Sequence, residues 1–561
     1  MKQKSHLTWL IGLSISIFSF FIATPAFALD AKVSCESLQA YDLSNIGGNG
    51  SKIISTKVEA NHGKNLCTVE GLLSPAIHFQ TTLPMTGWSE RYLQVGCGGT
   101  CGSIRLDSGA SEGCAPLENN EMVVSSTDMG HQGMGTEFGE NDQQRADFAY
   151  RGVHITAVAN KALIKALYGK SVEKSYFNGC SDGGREALME AQRFPNDFDG
   201  IIAGAPAMLF QVQNSLHHGW LAMSNTGKDG KAILVASRLP ILHNAVIAAC
   251  DQLDGMKDGL LTDPRACHFD PTTIECPPTA SDTSQCLTHA EAEAAAKIYQ
   301  GAKDPTTGRF LTVGSVQYGS ELAWAGVFVP TDANQPIFSK MIAEGAIQHL
   351  VFGNSANKVD KLTALAFTEA TLDALRQRHP LFDAVNPDLS AFAAKGGKLI
   401  LWHGWSDPHI SPLTTIAYHE ALIKQMGAEK AENFERLYLL PGVFHCGQGD
   451  GPSSVDLMSK MIDWVEASHA PFLIETSTSK TKANNFGQPT SEANKPAGAP
   501  PSVESPERSR PVYPYPLVAS YKGNGDINQA SSFEPRDPLL PRPSRDWAGK
   551  DFFTPYHFTD Y

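Results

Sequence analysis

The segment Gly179-Cys180-Ser181-Asp182-Gly183 constrains the fold more than any other part of this 561-residue chain. It has the pattern G-x-S-x-G, and it stands between a predicted strand at residues 174–178 and a predicted helix at residues 185–194. A serine in this pattern lies on a sharp strand-to-helix turn, which exposes its hydroxyl group at the edge of a parallel sheet. The pattern therefore predicts an α/β fold with an α/β-hydrolase core.

Short apolar runs and helical patterns alternate on both sides of this turn. Residues 158–168 have apolar residues at helical spacing, and they precede the strand that leads to Ser181. Such alternation is typical of a mostly parallel sheet that is covered by helices on both faces. The other predicted strands are residues 91–95, 122–127, 201–205, 398–402 and 436–440.

The alternation is lost between residues 215 and 393, where helical patches, local cysteines and scattered aromatic residues replace it. We predict that this stretch is a lid inserted into a catalytic domain made of residues 29–214 and 394–561. Residues 477–511 are rich in Ser, Thr, Asn and Pro without periodicity, which indicates an exposed connector.

Residues 1–28 have the features of a secretory signal peptide. Lys2 and Lys4 supply the positive start, residues 7–23 are mostly apolar, and Ala26-Phe27-Ala28 is a cleavage site of the A-x-A type. The alternative is an uncleaved anchor, but the apolar run is short for a membrane-spanning helix. We therefore expect a secreted or periplasmic protein with no membrane contact after cleavage of the signal.

The overall composition favours a small-molecule partner over nucleic acid. Apolar residues make up 42% of the chain and charged residues 19%, as in an ordinary globular protein with a large core. The net charge of −14 disfavours binding to nucleic acid or to an anionic membrane surface, because both are themselves negatively charged.

An exported chain with eleven cysteines is expected to form disulfides. Three cysteines remain after the nearest neighbours are paired, and since three cannot all pair, we expect one free thiol. The sequence does not say how Cys97, Cys101 and Cys114 are connected. A zinc site is the weaker alternative because zinc spacing is absent from the sequence. The pairs suggested are Cys35–Cys67, Cys250–Cys267 and Cys276–Cys286, with Cys180–Cys446 as the fourth.

Ser181 needs a base to accept its proton and a third group to orient that base. In α/β hydrolases these groups follow the serine in the order Asp or Glu, then His. Asp407 and His445 each come shortly after a predicted strand and have this order. Asp450 and Asp456 are rival acids, but they follow the histidine. We predict that Ser181 attacks a carbonyl, His445 transfers the proton and Asp407 orients the imidazole.

The cysteines at 180 and 446 stand next to the predicted nucleophile and the predicted base. A bond between them would close a loop with a sequence separation of 446 − 180 = 266 residues. The chain-entropy model assigns roughly 5 kcal/mol to so long a loop. The larger consequence is alignment, since small displacements between nucleophile and base reduce rates strongly.

A tetrahedral intermediate also needs backbone donors for its oxyanion. The residue after the nucleophile normally supplies one amide, which is here that of Asp182. The second is predicted in the glycine-rich segment 96–102, where we favour Gly99. Taken alone, this glycine run is equally consistent with an ordinary tight loop.

Residues 250–260 place three carboxylates within eight positions, together with glycines that allow tight turns. Calcium prefers carboxylate and carbonyl oxygens on such a loop. The spacing differs from that of an EF-hand, and the alternative is a solvated acidic turn held by Cys250–Cys267. The predicted ligands are the side chains of Asp251, Asp254 and Asp258 and the carbonyl groups of Met256 and Leu260.

At these positions the chain resembles the tannase and feruloyl esterase family, which also contains mono(2-hydroxyethyl) terephthalate hydrolase. The resemblance covers nearly the whole mature chain, and the cysteines beside the serine and the histidine make it specific. The segments that carry it are residues 175–185, 199–206, 250–259, 403–407 and 441–446.

The resemblance implies an α/β-hydrolase core, a large lid with bound Ca²⁺, and hydrolysis of aromatic-acid esters. It supports Ser181, Asp407 and His445 as the triad, Gly99 and Asp182 as oxyanion donors, and the calcium loop. It also implies that His403 lies near the substrate, with a structural histidine as the alternative.

Two departures from the family pattern stand out. Tyr513 and Pro535 occupy places where some members carry a cysteine pair, and residues 536–561 form a C-terminal extension beyond the similarity. Residues 330–385 match poorly, and we expect substrate choice to be decided there.

Three functions remain open at this point. The first is an exported serine esterase that hydrolyses esters of aromatic, phenolic carboxylic acids through an acyl-enzyme. The second is a general carboxylesterase for aliphatic esters, and the third is a catalytically silent binding protein on a hydrolase scaffold. The intact serine, acid, histidine and glycine loop disfavour the third.

Overall fold

A nine-stranded sheet lies at the centre of the protein's computed structural model, which describes residues 28–353, 356, 358–479, 507–538 and 545–559. Residues 1–27 of the predicted signal peptide and residues 480–506 of the predicted connector lie outside the described residues. The strands of the sheet are β1 Lys52–Asn61, β2 Lys64–Leu73, β3 Ile77–Pro84, β4 Arg91–Val95, β5 Val123–Thr127, β6 Lys174–Cys180, β7 Gly200–Gly204, β8 Lys398–Gly404 and β9 Glu435–Leu440.

The strand order is β1-β2-β3-β5-β4-β6-β7-β8-β9. Strands β4 to β9 run parallel to one another, whereas β1, β2 and β3 form an antiparallel extension that joins β5. The central strands are buried on both faces and therefore carry near-continuous apolar runs such as Ile201-Ile202-Ala203. The mostly parallel sheet with helices confirms the predicted α/β-hydrolase fold class.

Helices connect the parallel strands and cover the sheet. The first long helix ends at Gly169, whose φ of +66° provides a left-handed cap. The helices of seven or more residues in the described chain are α1 Gly152–Tyr168, α2 Asp182–Arg193, α3 His218–Ser224, α4 Leu239–Cys250, α5 His289–Gln300, α6 Phe338–Gly345, α7 Glu369–Leu375, α8 Pro412–Met426 and α9 Leu457–Ala467. No helix among these residues is long and apolar enough to cross a membrane.

A long insertion separates β7 from β8, although these strands are adjacent in the sheet. Within the described part of residues 205–397, the chain forms helices α3 to α7 and loops, and it adds no strand to the central sheet. Residues of this insertion cover the ends of the parallel strands, as the lining of the cavity described below shows. The exact lid boundaries at 215 and 393 remain a prediction.

The C-terminal residues pack on the insertion and on the core. Two small antiparallel sheets pair Ile474–Ser477 with Ser509–Val512, and Val518–Tyr521 with Phe533–Arg536. In the C-terminal extension, Trp547 forms a β-bridge with Phe310, and the Tyr556 hydroxyl donates to the carbonyl of Asp383.

Five disulfides are formed among the described cysteines, and they confirm the four predicted pairs. The structure also resolves the open connectivity, because Cys97 is bonded to Cys101 and Cys114 is a buried free thiol. Burial raises the pKa of the Cys114 thiol. The confirmed pairs are Cys35–Cys67, Cys180–Cys446, Cys250–Cys267 and Cys276–Cys286.

Candidate active site

Ser181 occupies the turn between β6 and α2 in a strained backbone conformation. Its φ and ψ are +64° and −122°, a combination that L residues rarely adopt. The turn is fixed on both sides, since the Ser181 N–H donates to the carbonyl of Gly204 at 3.0 Å and the Ser181 carbonyl accepts from Ala207 N–H at 2.9 Å. The half-buried side chain thus stands at the carboxyl end of the sheet.

The two glycines of the motif are required by close backbone approaches. A Cβ atom on Gly179 would lie 2.3 Å from the carbonyl oxygen of Gly183. A Cβ atom on Gly183 would lie 2.8 Å from the carbonyl oxygen of Cys97. Because backbone atoms cannot move aside as a flexible side chain can, the tight elbow at Ser181 depends on glycine at both places.

Asp407 and His445 follow neighbouring strands, β8 and β9, and their side chains meet. The Nδ1 atom of His445 lies 2.6 Å from Oδ2 of Asp407, and both residues are buried. An ionised carboxylate only accepts, so Nδ1 is the donor and Nε2 is left to accept a proton. The other carboxylate oxygen of Asp407 accepts from the backbone N–H groups of His409 at 2.8 Å and Ile410 at 3.0 Å.

Asp407 is held in its charged form despite complete burial. Burial by itself would raise the pKa of this carboxyl group, but the charge of His445 and the hydrogen bonds from His403 and His445 outweigh it. The pKa of Asp407 therefore lies far below its ordinary value. A permanent carboxylate at this place stabilises a protonated His445.

The position of His403 favours the structural alternative over the predicted place near the substrate. Its ring is fully buried behind Asp407, with Nε2 3.1 Å from Oδ2 of that residue and Nδ1 2.8 Å from Oγ1 of Thr415. Nε2 also lies 3.1 Å from the carbonyl oxygen of Ile410. His403 does not line the cavity described below, and it acts on the site only by holding Asp407.

The Cys180–Cys446 disulfide joins the elbow to the loop that carries His445. Its Cα atoms are 5.9 Å apart, although the two cysteines are separated by 266 positions in the sequence. Because each cysteine is the direct chain neighbour of a predicted catalytic residue, the bond limits relative movement of Ser181 and His445.

Ser181 and His445 open into one cavity of about 540 Å³. Gly99 and Asp182, the two predicted oxyanion donors, line the same space. The lining is apolar over a large part, and much of it comes from the insertion between β7 and β8. The apolar side chains that line it are Met134, Ala207, Phe210, Phe338, Met341, Ile342, Ala346 and Leu350.

The donors predicted for an oxyanion have suitable backbone positions. Asp182 is the first residue of α2, and amides in the first turn of a helix have no partner within that helix. The Asp182 side chain is directed away into a buried ion pair, in which Nε of Arg185 donates to Oδ1 at 2.7 Å. Gly99 has a φ of +66°, which favours glycine.

Three further histidines, His218, His349 and His409, line the cavity and were missed in the sequence. The His409 ring centroid lies 4.9 Å from that of His445, and the His218 ring centroid lies 5.6 Å from that of His409. Nδ1 of His218 is 2.9 Å from Oγ of Ser339. Burial, followed by the neighbouring imidazoles, lowers the pKa of His218 well below its ordinary value. His409 could have been suspected from its place two residues after Asp407.

The acidic loop 250–260 lies in the insertion, away from Ser181. Oδ1 of Asp251 accepts from Gly259 N–H at 3.0 Å, Oδ2 of Asp254 accepts from the Thr262 hydroxyl at 2.7 Å, and Oδ2 of Asp258 accepts from Nη2 of Arg510 at 2.6 Å. Among the described residues, these three carboxylates do not all come within 4.8 Å of one another.

The charges of the acidic loop are only partly compensated. Burial raises the pKa of Asp251 and of Asp254, and the neighbouring charge of Asp258 raises both further. Carboxylates and carbonyl groups on one loop are the kinds of donor that a hard divalent cation prefers.

Comparisons with known proteins identify the family of the chain. The family model described as tannase and feruloyl esterase matches residues 60–535. Mono(2-hydroxyethyl) terephthalate hydrolase of Piscinibacter sakaiensis is 30% identical over 519 residues, which cover 82% of this chain and 81% of that protein. A probable feruloyl esterase of Arthroderma benhamiae is 33% identical over 400 residues, covering 69% of this chain and 68% of that protein.

The crystal structure of feruloyl esterase B from Aspergillus oryzae has a TM-score of 0.73 and 26% sequence identity, and the match covers 90% of this chain and 100% of that one. These matches extend over the whole hydrolase core rather than over the serine motif alone. The protein is a carboxylic ester hydrolase, and the chain belongs to the tannase and feruloyl esterase family.

Proposed function

We propose that the protein hydrolyses neutral esters of aromatic, phenolic carboxylic acids through an acyl-enzyme formed on Ser181. The observation that carries this proposal is that Ser181 and His445 line one cavity while His445 is hydrogen-bonded to a buried, ionised Asp407. A serine, an imidazole and a carboxylate in these roles form the machinery of acyl transfer.

In the first half of the reaction, His445 accepts the Ser181 proton as the hydroxyl oxygen attacks the ester carbonyl. The amides of Gly99 and Asp182 stabilise the negative oxygen of the tetrahedral intermediate. His445 then gives the proton to the departing alcohol. In the second half, water takes the place of the alcohol and the same steps release the acid.

The cavity supports an aromatic acyl group with polar substituents. Phe210, Phe338 and Ile342 offer apolar surface to a ring, whereas His218, Gln213 and Asn214 offer groups that hydrogen-bond to phenolic hydroxyls. The names of the related feruloyl esterases favour the same substrate class. A carboxylesterase for aliphatic esters remains the second candidate, because the apolar lining suits alkyl chains as well.

The charge of the lining favours a neutral substrate. Glu137 and Glu344 line the cavity, and none of the described lining residues is a lysine or an arginine. An acyl group with a free carboxylate would enter without a cationic partner, and burying an unpaired charge is costly. This lining disfavours half-esters such as the one named for the Piscinibacter sakaiensis relative.

Two further features are proposed with this function. Five disulfides suit an oxidising compartment, which supports export as secreted or periplasmic protein. Calcium is proposed to bind the acidic loop through Asp251, Asp254 and Asp258, with the carbonyl groups of Met256 and Leu260. The ion would neutralise the carboxylates and stabilise the insertion, and it takes no part in the chemistry at Ser181.

The deciding experiment compares purified wild type with Ser181→Ala on methyl ferulate, methyl gallate and short-chain aliphatic methyl esters. We expect higher kcat/KM for the aromatic methyl esters than for aliphatic methyl esters, and loss of all turnover in the variant. Unchanged turnover in a folded Ser181→Ala protein would overturn the mechanism. Preference for aliphatic esters would select the second candidate.

A further inference from the structure

The loop after β4 is closed into a small ring by the Cys97–Cys101 disulfide. The ring encloses Gly98, Gly99 and Thr100, and the last two of these line the cavity. The proposed oxyanion donor therefore lies within a five-residue segment whose ends are covalently joined.

The chain on both sides of the ring is fixed by backbone hydrogen bonds. Gly96 N–H donates to the carbonyl of Asn178 at 3.0 Å, and Gly102 N–H donates to the carbonyl of Asp128 at 3.1 Å. Inside the ring, Cys101 N–H donates to the carbonyl of Gly98 at 3.0 Å. The disulfide is thus the covalent link across the part of the loop that faces the reacting carbonyl.

The two sulfur atoms contact the side chain of Glu186, which projects from α2. Oε1 of Glu186 lies 2.7 Å from Sγ of Cys97 and 3.2 Å from Sγ of Cys101. Glu186 is only 1% exposed, and its carboxyl group also interacts with the backbone of Cys97 and the side chain of Asp182. Sulfur atoms in a disulfide carry no hydrogen, so a hydrogen bond between them and Glu186 requires the carboxyl group to be the donor.

The surroundings favour the protonated form of Glu186. Burial, followed by the charge of Asp182, raises its pKa well above the ordinary value, and the nearby Arg185 opposes this only in part. Arg185 is already engaged by both oxygens of Asp182, at 2.7 Å and 3.0 Å. The charged or titratable groups that face this cluster are Asp182, Arg185 and Glu190 on α2, His131 beside Asp182 and Asp383 beside Arg185.

We propose that the Cys97–Cys101 disulfide and the carboxyl group of Glu186 are positioning groups for the oxyanion site. The disulfide restrains the backbone around Gly99, and Glu186 supports both sulfur atoms from the helix that begins with Asp182, so that the two amide donors are held as one unit. This inference rests on the proposed function, because it takes Gly99 and Asp182 as the donors.

The first test removes the ring. Cys97→Ser/Cys101→Ser is compared with Cys276→Ser/Cys286→Ser, which removes another short disulfide from the insertion. With p-nitrophenyl acetate we expect kcat to fall about tenfold or more in the first variant, with KM changed less than about twofold, since loss of one oxyanion donor lowers kcat by about 10² to 10³. The control variant is expected to keep the wild-type kcat.

The rate at which diethyl p-nitrophenyl phosphate inactivates each protein provides a second readout, because this reaction also develops negative charge on an oxygen beside Ser181. Melting temperatures measured in parallel identify folded variants. Wild-type kcat in folded Cys97→Ser/Cys101→Ser protein would overturn the inference. An equal loss in both double variants would also overturn it, because the effect would then be general destabilisation.

The second test addresses Glu186 and does not depend on the cysteines. Glu186→Gln keeps the shape and a donor toward sulfur but cannot ionise, whereas Glu186→Ala removes the support. We expect Glu186→Ala to lose kcat about tenfold and Glu186→Gln to keep it. We also expect Glu186→Gln to retain activity at alkaline pH, where ionisation of the wild-type group places a negative charge beneath the oxyanion loop.

Full kcat in Glu186→Ala, or an unchanged alkaline limb in Glu186→Gln, would overturn the role of Glu186. The outcome for the proposed function is read separately from the wild-type protein. A wild type that hydrolyses no ester overturns the proposed function and this inference together. An active wild type with unaffected variants overturns this inference alone.

Discussion

Oδ2 of Asp407 lies 2.6 Å from Nδ1 of His445 and 3.1 Å from Nε2 of His403. One carboxylate oxygen therefore connects a residue at the cavity with a histidine that is buried behind it. The low pKa of Asp407 follows from this double contact, which outweighs the effect of its burial. Asp407 is thus the residue through which the core of the sheet determines the orientation of His445.

Replacing Asp407 by Asn should leave the fold intact and reduce kcat by about 10⁴, because the amide favours the wrong tautomer of the imidazole. The measurement is kcat on p-nitrophenyl acetate, with the circular dichroism spectrum as the check of folding. Asp450→Asn is the matched control, since Asp450 is the rival acid that follows His445 in the chain. If Asp450→Asn lost more kcat than Asp407→Asn, the assignment of Asp407 as the acid of the triad would be wrong.

Breaking the Cys180–Cys446 bond should lower activity before it abolishes the fold. The double substitution Cys180→Ser/Cys446→Ser removes a cross-link between residues that are 266 positions apart in the sequence. For so long a loop, the chain-entropy model gives a loss of about 5 kcal/mol in unfolding free energy. We expect kcat to fall about tenfold at temperatures well below the melting transition, because Ser181 and His445 lose their common restraint. Urea unfolding and initial rates measure the two effects separately.

Cys35→Ser/Cys67→Ser is the control for this experiment, because that disulfide lies in the antiparallel part of the sheet, with Cys67 on β2. It should lower stability with little effect on kcat. If the Cys180→Ser/Cys446→Ser protein kept full kcat, the bond would have a role in stability alone.

The sequence was most informative where a side chain follows a regular strand. The predicted strand at 91–95 is found as Arg91–Val95, and the strand before the elbow begins at Lys174 as predicted. Because parallel strands end at the same edge, the order Ser181, Asp407, His445 was enough to predict that these residues lie close together. The structure brings His445 to Asp407, and it places Ser181 in the same cavity.

The sequence was least informative where the direction of a side chain or the path of a long insertion decides the contact. His403 precedes Asp407 by four residues, and only its burial shows that its ring lies behind the carboxylate. His218 lies in the insertion, and the periodicity of the sequence does not show that this part of the insertion lines the cavity. Likewise, the bond between Cys97 and Cys101 depends on a turn that residue spacing does not specify.

Removal of calcium should destabilise the protein without a direct effect on the chemistry. If Ca²⁺ binds the 250–260 loop, saturation at 100 times the Kd adds about 2.7 kcal/mol to the unfolding free energy. We expect EGTA to lower the melting temperature and added Ca²⁺ to restore it. Asp254→Asn should lose this response, whereas Asp282→Asn, at an exposed acid of the same insertion, should keep it. A melting temperature that is insensitive to Ca²⁺ would contradict the site.

The acidic lining should make the enzyme sensitive to the charge of the substrate. Dimethyl terephthalate and monomethyl terephthalate have the same ring and the same leaving alcohol, but the second carries a carboxylate. We expect kcat/KM to be at least about tenfold lower for the half-ester, which corresponds to about 1.4 kcal/mol in activation free energy. The kcat/KM of the diester is first divided by two, because it has two ester groups.

The variant Glu137→Gln/Glu344→Gln should reduce the difference in kcat/KM between these two esters, because it removes the charge of both glutamates that line the cavity. Glu429→Gln, at an exposed position on a distant helical turn, should leave it unchanged. Equal kcat/KM for the two esters in wild-type protein would show that the lining charge does not select the substrate.

Glu190 should make the stability of the fold depend on pH. Its side chain is fully buried in α2 beside Asp197 and His154. Burial, followed by the charge of Asp197, raises its pKa well above the ordinary value. The folded protein therefore keeps a proton that the unfolded chain releases, so stability falls as the pH rises from the ordinary glutamate pKa toward the raised one.

Glu190→Gln removes this dependence, since an amide can donate toward Asp197 but does not titrate. We expect the variant to be more stable than wild type at pH 8 and similar to it at pH 4. The difference at pH 8 should be about 1.4 kcal/mol for each tenfold difference in the proton affinity of Glu190 between the folded and unfolded states. Urea unfolding at both pH values measures the difference, with the exposed Glu429→Gln as control. A variant that is less stable than wild type at pH 8 would contradict this prediction. It would mean that Glu190 is ionised and paired with a positive charge, because glutamine would then remove a stabilising ion pair.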